Sequence, residues 1–302
     1  MDIIEEITRL KAERQAVIMA HNYTLGEVQD IADYTGDSLE LARIAAKCDA
    51  KVIVLCGVRF MAETAKILSP DAIVLHPAPE SGCPMADMAD AEAVKKFKAE
   101  NPDTLLIAYV NTTAATKSVV DLCCTSGNAE KIVAALPKDQ KIMFLPDANL
   151  GGNLVKALDR PMGLWNGCCP IHNRITADDI QCARNAHPGA VVMVHPECKV
   201  EVTALADYAL STGGMLKLVK ENPASEFVVG TEIGILHRMK KENPDKKFYP
   251  LENNPVCEDM KKITLEKIAA VLRDMSCQVE LDAETIAQAR RPIEKMLELS
   301  AL

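Results

Sequence analysis

Three cysteines, Cys83, Cys169 and Cys257, end equivalent loops spaced by 86 and 88 residues. The loops read Ser81-Gly82-Cys83-Pro84, Gly167-Cys168-Cys169-Pro170 and Pro255-Val256-Cys257. The following proline, shared with Cys83, selects Cys169 over Cys168. A structural zinc site wants four ligands, usually in paired CxxC spacing, and no CxxC occurs in the chain. Single cysteines far apart in sequence and converging in space suit an iron–sulfur cluster instead. Three protein thiolates on a [4Fe–4S] cube leave one iron free to act as a Lewis acid. That chemistry favours dehydration and condensation. The other eight cysteines share no register and are expected to be small buried hydrophobes, with Cys198 set apart because it follows Glu197.

A second set of polar residues repeats in the same way. His21 falls on Tyr109 and on His195 when the chain is slid by 88 and then 86 residues. The same shifts superpose Tyr23, Asn111 and Glu197, then Asp33, Asp121 and Asp207, then Ser38, Ser126 and Thr212. The hydroxyl residues precede helical patterns and read as N-caps, with Asp37 and Glu40 as a capping box. Three helix N-termini pointing inward would supply N–H donors and positive dipole ends to a small polyanion. His172, three residues after Cys169, is expected near the metal centre. His195-Pro196-Glu197 resembles the H-x-E of zinc deaminases, but no P-C-x-x-C follows. No GxGxxG or GxxxxGK[ST] is present, which argues against dinucleotide or P-loop binding.

The elements that must position these residues also come in threes. Each copy opens with an amphipathic helix that runs into an apolar strand: Ile3 to Glu13 then AVIMA, Ala91 to Glu100 then TLLIAYV, Ala177 to Ala186 then AVVMV. Near-continuous apolar strands mark sheets covered on both faces. Each polar triplet sits at a strand's carboxyl end, where ligands bind in parallel α/β sheets. Strand, helix, strand and cysteine loop complete each copy. The reading is α/β, with three sequential domains carrying short parallel sheets (1–83, 84–169 and 170–257), related by pseudo-three-fold symmetry around a central site. Two last helices, in 258–302, are expected to pack back on the first repeat.

Composition narrows the class. The 302 residues are 48% hydrophobic and 25% charged, ordinary for a globular chain. Only 4% are aromatic, so the core must be aliphatic. A net charge of −9 argues against nucleic acid. No apolar run is long enough for a membrane span, and the acidic amphipathic N-terminus is no signal peptide. The expected compartment is the cytosol, where an odd count of 11 cysteines points to metal or catalysis before disulfides.

HNYTLGEVQDIADYTGDS, CGVRFMAETAKIL, SGCPMADM, YVNTTAATK, TSGNA, GCCPIH, VHPEC, STGGM, VGTEIG and MKKITLEKI together resemble the quinolinate synthase A family of NAD biosynthesis. The resemblance runs from His21 to Leu272. It implies three α/β domains around a [4Fe–4S] cluster. It also implies condensation of iminoaspartate (iminosuccinate) with dihydroxyacetone phosphate to quinolinate, releasing phosphate and two waters. By resemblance, Cys83, Cys169 and Cys257 hold the cluster. His21, Ser38, Tyr109, Asn111, Ser126, His195, Glu197 and Thr212 bind iminoaspartate, Tyr23 is the other active-site tyrosine, and His172 lines the pocket. The expected mechanism has Glu197, Tyr23 and Tyr109 exchanging protons, while His21 and His195 orient and neutralise anionic groups. An aspartate oxidase or dehydrogenase would supply the imine. Two other classes share parts of this pattern: a zinc-stabilised anion-binding protein without catalysis, and an iron–sulfur redox sensor, which would want a basic or partner-binding surface.

Overall fold

The computed structural model describes residues 2–301. Its first unit runs α1 (Ile3–Arg14), β1 (Ala16–His21), α2 (Gly26–Ile31), β2 (Tyr34–Gly36), α3 (Ser38–Ala45), β3 (Val52–Cys56), α4 (Arg59–Leu68), β4 (Ile73–Leu75) and α5 (Pro84–Asp87). The second repeats this order: α6 (Ala91–Glu100), β5 (Thr104–Tyr109), α7 (Ala114–Val119), β6 (Leu122–Cys124), α8 (Ala129–Ala134), β7 (Lys141–Leu145), α9 (Ala148–Leu158), β8 (Gly163–Leu164) and α10 (Pro170–Asn173). The third does so again: α11 (Ala177–Ala186), β9 (Val191–Val194), α12 (Val200–Thr203), β10 (Tyr208–Ala209), α13 (Thr212–Glu221), β11 (Glu226–Gly230), α14 (Ile235–Glu242), β12 (Lys247–Pro250) and α15 (Glu258–Lys261). Two helices follow, α16 (Leu265–Asp274) and α17 (Ala283–Ala301).

Each unit forms one four-stranded sheet, ordered β2-β1-β3-β4, β6-β5-β7-β8 and β10-β9-β11-β12. Every pairing within the sheets is parallel. Chain direction across each sheet reverses between its first and third strands, the crevice where ligands bind. His21, Tyr109 and the His195 triplet lie at or just beyond the carboxyl ends of those first strands.

The repeated aspartates have a structural task. The carboxylate of Asp33 accepts from Ile18 N–H at 2.8 Å, that of Asp121 from Leu106 N–H at 2.9 Å and that of Asp207 from Val192 N–H at 2.8 Å. Each also pairs with a base on the helix that opens its unit: Lys11 at 2.6 Å, Lys98 at 2.6 Å and Arg184 at 2.8 Å. The same clamp thus fixes helix to strand three times.

Aliphatic side chains fill the interior, as the low aromatic content requires. One central cluster draws on all three sheets, with Met19, Leu106, Phe144, Phe227 and Val229 among its members. Two smaller clusters cover the outer faces of the first and third sheets. Among the described residues, no helix is long and apolar enough to cross a membrane.

The C-terminal helices part company. α16 packs on α1 of the first unit, as expected. α17 instead packs mainly on α7 and β6 of the second unit, touching α4 of the first. Its apolar face explains the difference: Ala289, Ile293 and Met296 are buried in the central cluster and have no place on the outer face of the first sheet. Ile293→Ala should therefore cost about 2–5 kcal/mol. Denaturant unfolding measures this, and a loss within error of zero would contradict the docking of α17.

Candidate active site

The thirteen expected site residues line one cavity of about 270 Å³: His21, Tyr23, Ser38, Cys83, Tyr109, Asn111, Ser126, Cys169, His172, His195, Glu197, Thr212 and Cys257. Glu197 sits at its polar centre. Tyr109 Oη donates to Glu197 Oε1 at 2.6 Å. His172 Nδ1 lies 2.7 Å from Glu197 Oε2 and 3.2 Å from Cys169 Sγ. Burial raises the Glu197 carboxyl, but the imidazoles of His195 and His172 and the bonds from His172 and Tyr109 outweigh it. The group is held ionised, well below the usual carboxylate range.

A carboxylate only accepts hydrogen bonds. His172 therefore donates from Nδ1 to Glu197, and its Nε2 faces Thr231. Thr231 Oγ1 lies 2.8 Å from that nitrogen and 2.6 Å from Tyr23 Oη. A hydrogen-bonded chain follows, linking Tyr23 through Thr231 and His172 to Glu197, which Tyr109 meets from the second unit. Burial, followed by the charge of Glu197, raises both tyrosines well above their ordinary value, so they are O–H donors.

His21 and His195 share one local geometry. Tyr23 N–H donates to His21 Nδ1 at 3.2 Å, and Glu197 N–H donates to His195 Nδ1 at 3.3 Å. Burial pulls both imidazoles down to about 3, against the opposing pull of Glu197. These rings are neutral, with the proton on Nε2. Burial thus opposes the charge neutralisation expected of them and leaves Nε2 of each ring as a hydrogen-bond donor.

The hydroxyl residues are displaced from the expected caps. Asp37 caps α3, accepting from Leu39 N–H at 3.0 Å and Glu40 N–H at 2.9 Å, and its own N–H donates to Glu40 at 2.9 Å to close the capping box. Ser211 caps α13 through Gly214 N–H at 3.2 Å. Asn128 precedes α8. Ser38 and Thr212 are first helical residues, and Ser126 lies in the loop before Asn128. Because Asp37 and Ser211 do the capping, the Ser38 and Thr212 side chains are left to the cavity, which Ser126 lines from its loop. Thr212 Oγ1 also accepts from Asn22 Nδ2 at 3.2 Å, joining the third unit to the first.

The three cysteines head the four-residue helical turns α5, α10 and α15 as N-caps. Burial pushes Cys83 up to about 12, Cys169 well above its ordinary value, and Cys257 upward. Backbone N–H groups of the following turn oppose burial at each sulfur. A buried thiol that is costly to ionise alone, yet already met by N–H donors, suits a metal cation, because metal binding displaces the thiol proton. Donor atoms of Cys169, His172 and Glu197 lie within 4.8 Å of one another, a group able to hold a metal ion. Of the other cysteines, Cys56, Cys123, Cys124 and Cys198 are buried as expected, whereas Cys182 and Cys277 are exposed.

Pattern reading missed Thr231, Asp147, Glu232 and Phe60. Thr231 is buried between Tyr23 and His172. Asp147, fully buried, is raised to about 8 by burial and by Glu197, while three backbone N–H bonds hold it down. Glu232 and Phe60 line the cavity, as does Arg174, the one Lys or Arg on its wall among the described residues. Thr231 and Phe60 have no like residue in the other copies, and the acids Asp147 and Glu232 are related by 85 residues, off the 86- and 88-residue shifts, so the register carried no signal for them.

The quinolinate synthetase A protein family profile matches residues 5–298. The chain belongs to this family. It is 49% identical over 295 residues to the quinolinate synthase of Methanoregula boonei, covering 98% of this chain and 97% of that one. The quinolinate synthase of Dehalococcoides mccartyi strain BAV1 is 50% identical with the same coverage. That of Thermodesulfovibrio yellowstonii is 47% identical over 297 residues, 98% of each chain. The similarity thus runs along nearly the full length of this chain and of these relatives.

The neutral histidines have a consequence for stability. An unfolded histidine titrates near 6.5, whereas folded His21 and His195 titrate at about 3. Between those values the unfolded chain binds protons that the folded one refuses, so stability falls as pH drops from about 6.5. The slope is up to about 1.4 kcal/mol per pH unit for each ring. Denaturant midpoints of chelator-treated protein at a series of pH values measure it. His21→Asn should flatten the acid side, and an unchanged profile would contradict the burial argument.

Proposed function

We propose that this chain is a quinolinate synthase of de novo NAD biosynthesis. It condenses iminoaspartate with dihydroxyacetone phosphate, releasing phosphate, two waters and quinolinate. The observation that carries the reading is the convergence of the three cysteines with Glu197, both tyrosines and the three hydroxyl residues on one cavity, in a chain of this family. The proposed cofactor is a [4Fe–4S] cluster on Cys83, Cys169 and Cys257. When bound, that cluster supplies one iron without a protein ligand as a Lewis acid.

The chain's own groups do the rest. The Ser38, Ser126 and Thr212 hydroxyls hold the substrate carboxylates, helped by the N-terminal dipoles of α3 and α13. Neutral His21 and His195 donate from Nε2 and orient anionic oxygens, and Asn111 adds an amide. Glu197, ionised, takes protons released in tautomerisation and dehydration. Tyr109 and Tyr23 return them to leaving oxygens, since an O–H donor with a raised pKa gives its proton only as charge develops. His172 keeps Glu197 oriented. The pseudo-three-fold division at 1–83, 84–169 and 170–257 accounts for how three small sheets share one site. We place the enzyme in the cytosol, supplied with the imine by an aspartate oxidase or dehydrogenase.

A mononuclear zinc site on Cys169, His172 and Glu197 is the rival arrangement. Two facts weigh against it: His172 and Glu197 already satisfy each other at 2.7 Å, and the group leaves Cys83 and Cys257 without a task. Iron and acid-labile sulfide in anaerobically purified protein decide between them. Cys83→Ala, Cys169→Ala and Cys257→Ala should each abolish both iron and turnover; a Cys83→Ala protein with full iron and activity would refute the assignment. Glu197→Gln should keep its iron and lose turnover by about 10²-fold or more.

A further inference from the structure

Each cysteine loop is tied to the end of its unit's third strand by the same backbone bond. The carbonyl two residues ahead of the cysteine accepts an N–H from the chain just past that strand, at the first residue of α4 and of α9 and two residues before α14. The pairs are Arg59 N to Ser81 O at 2.9 Å, Ala148 N to Gly167 O at 2.7 Å, and Ile233 N to Pro255 O at 3.1 Å. In the second loop the approach is close enough that a Cβ on Gly167 would lie 2.6 Å from Pro146 O.

The residue just before each donor differs: Val58, Asp147 and Glu232. Both acids are fully buried, at 0% exposure. Asp147 Oδ1 caps α9 through Asn149 N–H at 2.8 Å and Leu150 N–H at 2.9 Å, and its Oδ2 accepts Cys169 N–H at 3.3 Å. Glu232 Oε2 accepts Gly234 N–H at 2.7 Å, while Oε1 accepts Cys257 N–H at 3.1 Å and pairs with Lys261 at 2.8 Å. An anchored backbone N–H holds the peptide plane ahead of the cysteine in place, and with it the position from which the side chain reaches the cavity. Val58 offers no such acceptor to Cys83.

We infer that Asp147 and Glu232 are positioning residues that aim Cys169 and Cys257 at a shared metal centre through their backbone N–H groups. The inference rests on the three-cysteine reading above. Partners that orient ligands typically govern metal affinity by about 10- to 100-fold. An amide in place of either carboxylate separates this task from folding. In Asp147→Asn the remaining oxygen can keep the α9 cap, while the NH₂ opposes Cys169 N–H, donor against donor. Glu232→Gln likewise can satisfy one side only.

The test uses the full chain, reconstituted anaerobically with iron and sulfide. Iron per chain, the rate of iron release to a ferrous chelator, and the apoprotein melting temperature are measured for parent, Asp147→Asn and Glu232→Gln. Both variants should release iron on the order of tenfold faster while melting with the parent. Release at the parent rate in both would overturn the inference, as would a lower melting temperature with parent-like release, which marks a purely structural role. A parent that binds no iron would instead remove the three-cysteine reading and this inference with it.

Discussion

An ionised carboxylate cannot stay buried without partners, and the site is arranged around that requirement. Glu197 is 3% exposed. Its two oxygens are met by Tyr109 from the second unit and by His172 from the turn beyond Cys169, with His195 beside them. Its backbone carbonyl accepts from Asn149 of α9 at 3.1 Å. The charge therefore fixes how the second and third units meet. It also sets its oxygens against Tyr109 on one side and, through His172, beside Cys169 on the other.

The same economy runs through the repeats. Every unit uses an aspartate to clamp its opening helix to its first strand, and every cysteine loop closes on the third strand through one backbone bond. The differences that matter to the cavity lie at the strand ends. Position by position, the first strands offer His21, Tyr109 and His195, then Tyr23, Asn111 and Glu197. Three copies of one scaffold thus supply unlike groups to one cavity, which a single sheet of four short strands could not surround.

Much of this was legible in the sequence because repetition exposes it. The parallel sheets follow from apolar strands after amphipathic helices, and the cavity-lining residues from polar positions in register. What escaped detection depends on contacts the register does not encode. Thr231, Asp147 and Glu232 work across loops or units and differ between copies. Ser38 and Thr212 were placed one residue off, because Asp37 and Ser211 are equally good caps and local pattern cannot rank adjacent candidates. The neutrality of His21 and His195 is a result of burial, which residue type alone does not show. The docking of α17 depends on which apolar surface remains uncovered once three units assemble.

The central claim is that the cavity joins a metal centre with one vacant corner to a cradle for a small diacid. Mössbauer spectroscopy of protein reconstituted with ⁵⁷Fe, recorded with and without quinolinate, tests it most directly. The account predicts a four-iron cluster in which the diacid shifts the signal of one iron and leaves the others in place. Absence of a cluster, or a spectrum that quinolinate at saturating concentration leaves unchanged, would contradict it.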